Sequence, residues 1–567
     1  MRTIQGVIKL PTLFSNNTKW LEQQQTSILS AAAIISVASI VSAFSGLLIK
    51  RVLIAHFFDT IASQEALEAF WVAFQIPDMM FQLIVLGALS AAFIPIFTSK
   101  KKTDPEEAFI MSSIMMNVLL AIFFFFFVIV FIFARQITIL RTGVQFTPEQ
   151  ITIVTNLTRI MLFAQFFFAI SNFMTGILQS FQRFILPAFA PVFYNIGILI
   201  GVYLLSDHFG IYAAGIGVVI GAALHMAVQF PLVLKLGFKY RFSFNLRYHG
   251  IREFFKLMPP RVFSIGANEI RKLVLGFFAT SLGNLSFFTM QLALTLMAIP
   301  IRFFGVPISQ ASLPFLSEES STHDYQKFKG LVLQSLHQIA FLTLPASVLL
   351  LILRVPVVRL IFGTFNFPWS ATVTTSRLVA IIAISIPAQA LVQLLIRAFY
   401  ALKDTKTPLY IAVGDVILYV AMTAGFVYFT NLGVYGIAIA TTITALIELF
   451  LFLLLLNRKI TGFASQDFLI PQLKILVAGF FMAVFLYLPF RILDEVIFDT
   501  TRTIELIALT ITTSTIGMLV YIYFAMLFDI KELTILTKLI YTFDKWRGTL
   551  AKSKEVLIEA TADTETD

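Results

Sequence analysis

The feature that most constrains this chain is a series of fourteen apolar stretches, each of about 20 residues or more. They lie at roughly 27–58, 68–98, 107–134, 152–178, 185–206, 211–234, 257–283, 285–316, 328–358, 371–402, 407–430, 434–457, 470–493 and 503–528. A helix needs about 20 apolar residues to cross roughly 30 Å of hydrocarbon, where every backbone polar group must be satisfied within the protein. The pattern therefore predicts an all-α polytopic membrane protein with about 14 transmembrane helices. Composition agrees, at 58% hydrophobic and 13% charged residues with a mean hydropathy of +0.88. The first 26 residues, MRTIQGVIKLPTLFSNNTKWLEQQQT, are too polar for the apolar core of a cleavable signal. The first span is expected to direct insertion itself.

Positive charge sets the expected orientation, because Lys and Arg are retained on the cytoplasmic side. With the N-terminus inside, inner loops and tails hold about 26 Lys and Arg, including Lys100 to Lys102, and outer loops about six, among them Arg135, Arg141 and Arg354. Both termini are thus expected in the cytoplasm. The net charge of +10 reflects this bias and an attraction to anionic lipid, and needs no nucleic-acid partner. The absence of Cys removes disulfides, thiol nucleophiles and thiolate metal sites, and the six His show no ligand-like spacing. No metal site is expected. Short loops without an acidic metal-binding cluster or a His-rich catalytic set argue against an enzyme. A scaffold for other membrane proteins would leave the charged residues within the spans without a purpose.

The chain also repeats itself. LGALSAAFIPIFTS (86–99) resembles FGVPISQASLPFLS (304–317), aligning Ser90 with Ser309 and Pro95 with Pro314. SFQRFILP (180–187) recurs as YALKDTKTP (400–408), and FGIYAAGIG (209–217) as LGVYGIAIA (432–440). Three matches in order at one period define two six-helix lobes, 27–240 and 241–460. They are preceded by a cytoplasmic segment 1–26 and followed by two C-terminal helices (461–530) and a cytoplasmic tail (531–567). Six spans per lobe keep both copies in one orientation, with a substrate path between them. Spans 2 and 8 hold the same place in each lobe, and both carry helix breakers: Pro77, Gly87 and Pro95 in one, Pro300, Pro307 and Pro314 in the other. Freed carbonyls are tolerated only against protein, water or a cavity, so these spans are expected to be bent helices lining a cavity. The plainer alternative is that proline is simply frequent in membrane helices.

EAFWVAFQIPDMMFQLIVLGALSAAFIPIF (68–97), QRFILPAFAPVFYNIGIL (182–199) and FYALKDTKTPLYIAV (399–413), set among fourteen spans, resemble the MurJ (MviN) family of lipid II flippases. That family lies within the multidrug, oligosaccharidyl-lipid and polysaccharide exporters, and the resemblance covers nearly the whole chain from residue 27. It implies movement of an undecaprenyl-pyrophosphate-linked peptidoglycan precursor from the inner to the outer leaflet of a bacterial plasma membrane. The path implied is a cationic cavity, with the last two helices forming a groove for the polyprenyl tail. The resemblance carries the acidic residue before the AFWVAF run onto Glu68 and the P-N/D pair onto Pro77 and Asp78. Family arginines and the following Glu fall instead on Phe81, Gln82 and Leu86, and two further arginines on Ala43 and Thr295. Lys50 or Arg51 stands at the later span-1 arginine.

Charges within the spans offer replacements. Lys50 and Arg51 in span 1, Arg271 and Lys272 in span 7 and Arg302 in span 8 are candidates to hold a diphosphate by charge-assisted hydrogen bonds. Glu269, three residues from Lys272, is an alternative partner for it. Arg159, Arg261, Arg377 and Arg397 lie near span ends and are expected to snorkel. Glu68, Pro77, Asp78, Gly87, Pro95 and Pro300 are the candidate gating or structural positions. Asp415 and Glu448 are candidates for ion coupling or for pairing with basic residues such as Arg397. No cofactor is implied beyond the membrane potential or a monovalent cation, and membrane lipids are the other expected partners. Two further cargo readings stay open: another lipid-linked oligosaccharide, or a drug or cation exchanged by the same fold.

Overall fold

Local capping chemistry sets the helix starts in the computed structural model, which describes residues 28–86, 93–245, 249–283, 285–321, 325–460 and 466–534. After α1 (Ile28–Phe57), the chain turns at Asp59 into α2 (Ile61–Met80), where the Thr60 and Ser63 hydroxyls each accept from the other's backbone N–H. A π-helical turn, Phe81–Leu86, ends α2, and α3 (Ile94–Thr103) carries the chain to Asp104. Asp104 caps α4 (Pro105–Arg141) by accepting from the N–H groups of Glu106 and Glu107 at 2.9 and 3.1 Å. Thr147 and Gln150 form the same box at α5 (Pro148–Ser180). Then follow α6 (Ile185–Phe209), α7 (Tyr212–Lys235), α8 (His249–Ser281) and α9 (Ser286–Pro300). A second π-helical turn, Ile301–Gly305, joins α9 to α10 (Val306–Ser321). The remainder runs α11 (Tyr325–Ile352), α12 (Arg354–Phe362), α13 (Trp369–Ala383), α14 (Ile386–Ala401), α15 (Lys406–Phe429), α16 (Val434–Lys459), α17 (Gln466–Ile492) and α18 (Thr503–Leu527).

All fourteen predicted stretches are helical in their described residues, but fewer meet the length and hydropathy of an unbroken span. Eleven do among the described residues, and twelve if α13 and α14, bent by 47°, count as one. The two that fall short differ in cause. Span 2 is described continuously only as far as Leu86, and α8 carries Arg252, Glu253, Lys256, Arg261, Glu269, Arg271 and Lys272 along its length.

Packing divides the chain into two units. The first comprises Met1–Met290, Ile361–Ala371 and Val420–Ile437. Its tightest pair is α6 with α7: a Cβ on Gly197 would lie 2.2 Å from the Gly221 Cα, and one on Gly201 2.4 Å from the Gly217 Cα. Two small-xxx-small pairs thus bring the backbones together where lipid supplies no hydrophobic drive. α5 packs on α7 through a satisfied polar core, in which Gln229 donates to Ser171 and accepts from Thr175, each at 2.8 Å, and Ser171 bonds His225 at 2.7 Å. α8, which the repeat assigns to the second half, packs in this unit on α2, α4 and the first π turn.

The second unit comprises Gln291–Leu360, Thr372–Tyr419 and Ala438–Asp567. Here α11 lies against α14 and α17 around Phe328, Leu336, Phe341, Leu394 and Phe399. α17 and α18 pair through Phe481 and Phe524, stacked with centroids 4.2 Å apart, and Tyr521 of α18 donates to the Phe341 carbonyl at 3.0 Å.

The repeat recurs in the backbone. The π turns begin at Phe81 and Ile301, 220 residues apart. Gln182 and Lys403, 221 apart, both take left-handed φ, 57° and 58°. Each closes its helix with a Schellman bond, Arg183 N–H to the Leu178 carbonyl and Asp404 N–H to that of Phe399, both 2.9 Å. Gly210 and Gly433, 223 apart, turn at φ 53° and 55°.

Candidate functional site

Pro77 lies inside α2 and has no N–H, so the Ala73 carbonyl four residues back loses its helical donor. Neighbouring helices supply replacements. Thr158 of α5 donates its hydroxyl to Ala73 at 3.3 Å, while Arg141, at the end of α4, donates to the Val72 carbonyl and, at 2.9 Å, to Gln75 Oε1. Gln75 donates in turn to the Lys272 backbone carbonyl on α8 at 3.3 Å. That approach needs Gly276, where a Cβ would fall 2.6 Å from Gln75 Oε1. The bent helix is therefore held from three sides, as a break at membrane depth requires.

Asp78, one residue past the proline, faces the same turn of α8. Its Oδ2 stands 3.6 Å from Lys272 Nζ, and Glu269 Oε1 holds that ammonium at 2.7 Å. Glu269 is buried at 5% exposure, whereas the Lys272 side chain is half exposed, so the ammonium sits at the mouth of the pair. Two carboxylates share one ammonium here. At the other end of α2, Glu68 is buried and accepts from the N–H groups of Phe287 and Phe288 at 3.1 and 3.2 Å. These are unpaired donors of the first turn of α9, and a carboxylate suits the positive end of a helix. One helix thus reaches α9 through Glu68 and α8 through Asp78.

The other predicted residues are placed as follows. Lys50 is half-buried on α1, with Nζ 4.7 Å from the centre of the Trp71 ring. Arg51 on α1 and Arg271 on α8 are also half-buried. Arg302 belongs to the second unit, exposed on the π turn that follows Pro300. Asp415 is buried on α15 and Glu448 half-buried on α16, both in the second unit. Gly87 and Ser90 lie outside the described residues. Pro95 is the second residue of α3, a first-turn position where its missing N–H costs little. Two of the arginines near span ends bond backbone carbonyls. Arg397 donates to the Val306 carbonyl of α10 at 3.1 Å, and Arg159 to the Phe131 carbonyl at 3.1 Å, because a backbone acceptor lay within reach of each guanidinium. Arg141, Gln75 and Thr158 were missed by sequence reasoning. Only the proline, which announces an orphaned carbonyl, pointed toward them.

Solved structures share this all-α architecture. The chain superimposes on "Lipid II flippase MurJ, inward closed conformation" with a TM-score of 0.71 and 24% identity, over 88% of this chain and 99% of that one. An inward-facing multidrug resistance MATE family transporter of the MOP superfamily gives a TM-score of 0.61 at 15% identity, over 77% and 99%. A sequence model of the family described as Lipid II flippase MurJ matches residues 57–502. The chain belongs to that family. Among its relatives, the lipid II flippase MurJ of Burkholderia cenocepacia is 26% identical over 420 residues, 73% of this chain and 80% of the relative.

Proposed function

We propose that this chain is a lipid II flippase, carrying the lipid-linked peptidoglycan precursor from the inner to the outer leaflet by alternating access. Family membership across residues 57–502 carries the reading. The π turn repeated in both units supports it, since a local change of helical register is a place where a helix can move. In this reading Lys50, Arg51, Arg271 and Lys272 of the first unit hold the anionic diphosphate headgroup. A cation at mid-bilayer costs roughly 2.5–3.5 kcal/mol on insertion scales, which a bound anion helps to offset. Lys272 is the pivotal one. An arriving diphosphate takes its ammonium from Asp78 and Glu269, loosening α2 from α8 while Glu68 still holds α9; that differential contact shifts the population toward closure.

Both termini face the cytoplasm of a bacterial plasma membrane in this scheme. A headgroup of charge about −2 leaving a negative interior gains roughly 4.6 kcal/mol per 100 mV, so the potential drives the loaded step. A monovalent cation at Asp415 or Glu448 would reset the empty carrier. The test is expression in a bacterium depleted of its own lipid II flippase. Rescue of growth is expected, and continued lysis with confirmed membrane insertion would count against the reading. The Lys50→Ala, Arg271→Ala double variant should insert and fail to rescue. In proteoliposomes, collapsing the potential should slow outward transport more than removing sodium or a pH gradient.

A further inference from the structure

α4 and α11 hold the same place in the two repeats, and His337 of α11 stands 220 residues after Asn117 of α4. In the first unit the chain's own segment 238–245 covers that face of α4. Asn117 donates to the carbonyls of Arg241 and Ser243, both at 3.1 Å, and Ser113 accepts from the Arg241 N–H at 3.2 Å. Arg241 also pairs with Glu106 at 2.7 Å, and Phe238 packs edge-on against Phe109. In the second unit the matching face of α11 opens on a cavity of about 500 Å³, shared with the start of α17 and the 3₁₀ turn Lys531–Leu533.

That cavity is polar and carries both signs. Lys329 and Asp467 stand 4.0 Å apart and His337 and Glu532 3.7 Å. Both separations are longer than the roughly 2.7–2.9 Å of a charge-assisted hydrogen bond. Lys531 adds a second ammonium, and Gln334 and Gln338 add amides. Among the described lining residues two ammonium groups balance two carboxylates, which suits a ligand bearing both charges better than a simple anion. Beside the cavity the surface turns apolar: Leu469, Ile470 and Leu473 at the start of α17 and Met526 and Leu527 at the end of α18 are all exposed. A charged recess flanked by lipid-length apolar helices fits an amphiphile.

We propose that this cavity binds an aminophosphate headgroup of the phosphatidylethanolamine kind, phosphate at Lys329 and Lys531, ammonium at Asp467 and Glu532, with the acyl chains along α17 and α18. Membrane lipid and soluble phosphoethanolamine share that headgroup, and the apolar flank favours the lipid. The test takes the purified full chain in detergent, stripped of lipid, and titrates phosphatidylethanolamine, phosphatidylglycerol and O-phosphoethanolamine, reading retention by native mass spectrometry and the thermal midpoint. Phosphatidylethanolamine should be retained about tenfold more tightly than phosphatidylglycerol. Glu532→Gln should remove that preference. Lys531→Gln, at an exposed position that leaves folding intact, should weaken it. Equal retention of both lipids by the parent chain, or undiminished phosphatidylethanolamine binding by a folded double variant, would overturn the proposal. A midpoint rise with O-phosphoethanolamine equal to that with lipid would uphold the headgroup chemistry and overturn the lipid as its source.

Discussion

In the first unit α6 and α7 meet backbone to backbone through Gly197, Gly201, Gly217 and Gly221, whereas α15 and α16, the corresponding helices of the second half, carry Tyr419, Thr423, Ala440 and Thr444, all buried. The first repeat strips side chains from this pair of helices, while the corresponding helices of the second carry buried ones. Equivalent helices can therefore hold equivalent places while the first tolerates no added volume at its seam. The sharpest break of the comparison is Gly201→Val, which puts a branched side chain where even a Cβ would sit 2.4 Å from a backbone atom. Loss of about 3 kcal/mol or more is expected, seen as failure to recover folded protein by size exclusion. Ala440→Gly, on α16 of the second half, should cost only about 1 kcal/mol. Comparable thermal midpoints for the two variants would show that the seams are not different in kind.

The broken spans differ as well. In the first unit the carbonyl orphaned by Pro77 depends on the Thr158 hydroxyl, whereas Arg397 serves Val306, whose carbonyl also faces the Ser309 hydroxyl at 3.4 Å. Thr158→Val keeps the shape and removes the donor, leaving a buried acceptor unsatisfied at about 1–3 kcal/mol. Arg397→Gln should shift the midpoint less. Equal shifts would mean that the two breaks are equally supported.

Much of this was legible in the sequence because hydropathy and repeat spacing are local quantities. The apolar helices and the repeated turns follow from counting along the chain. The partners were not, because Arg141, Thr158 and Gln75 reach Pro77's neighbourhood from distant helices, and no periodicity encodes which polar group finds an orphaned carbonyl. Arg141 looked like an outer-loop cation, yet its guanidinium turns back onto Val72. Lys272 was half legible: Glu269 three residues away announced one partner, while Asp78, on another helix, did not. Even the left-handed Gln182 and Lys403 were hidden, because neither is the glycine that usually marks such a turn.

Those two turns give the smallest contrast, and it lies outside the spans. After Lys403, Asp404 accepts from the N–H groups of Lys406 and Thr407 at 3.1 and 3.0 Å, from the Thr407 hydroxyl at 2.6 Å, and from the Lys459 ammonium. After Gln182 the corresponding residue is Arg183, and α6 starts without a side-chain cap. Desolvation pushes the Asp404 carboxyl up, but the Lys459 ammonium and the Thr407 hydroxyl and N–H outweigh it and hold it down at about 2, against an ordinary 3.8. A carboxyl depressed in the folded state stabilises fully above its ordinary value, and the gain is lost as pH falls through the folded value. The thermal midpoint of the parent chain should therefore exceed that of Asp404→Asn by a constant margin from pH 8 to about 5, and the margin should shrink between about pH 4 and 2. Arg183→Gln should show no such narrowing, since no carboxylate titrates at that turn. A margin for Asp404→Asn that is unchanged at pH 3 would mean that the cap works through its shape and hydrogen-bond count rather than its charge, and the two turns would then differ in packing alone.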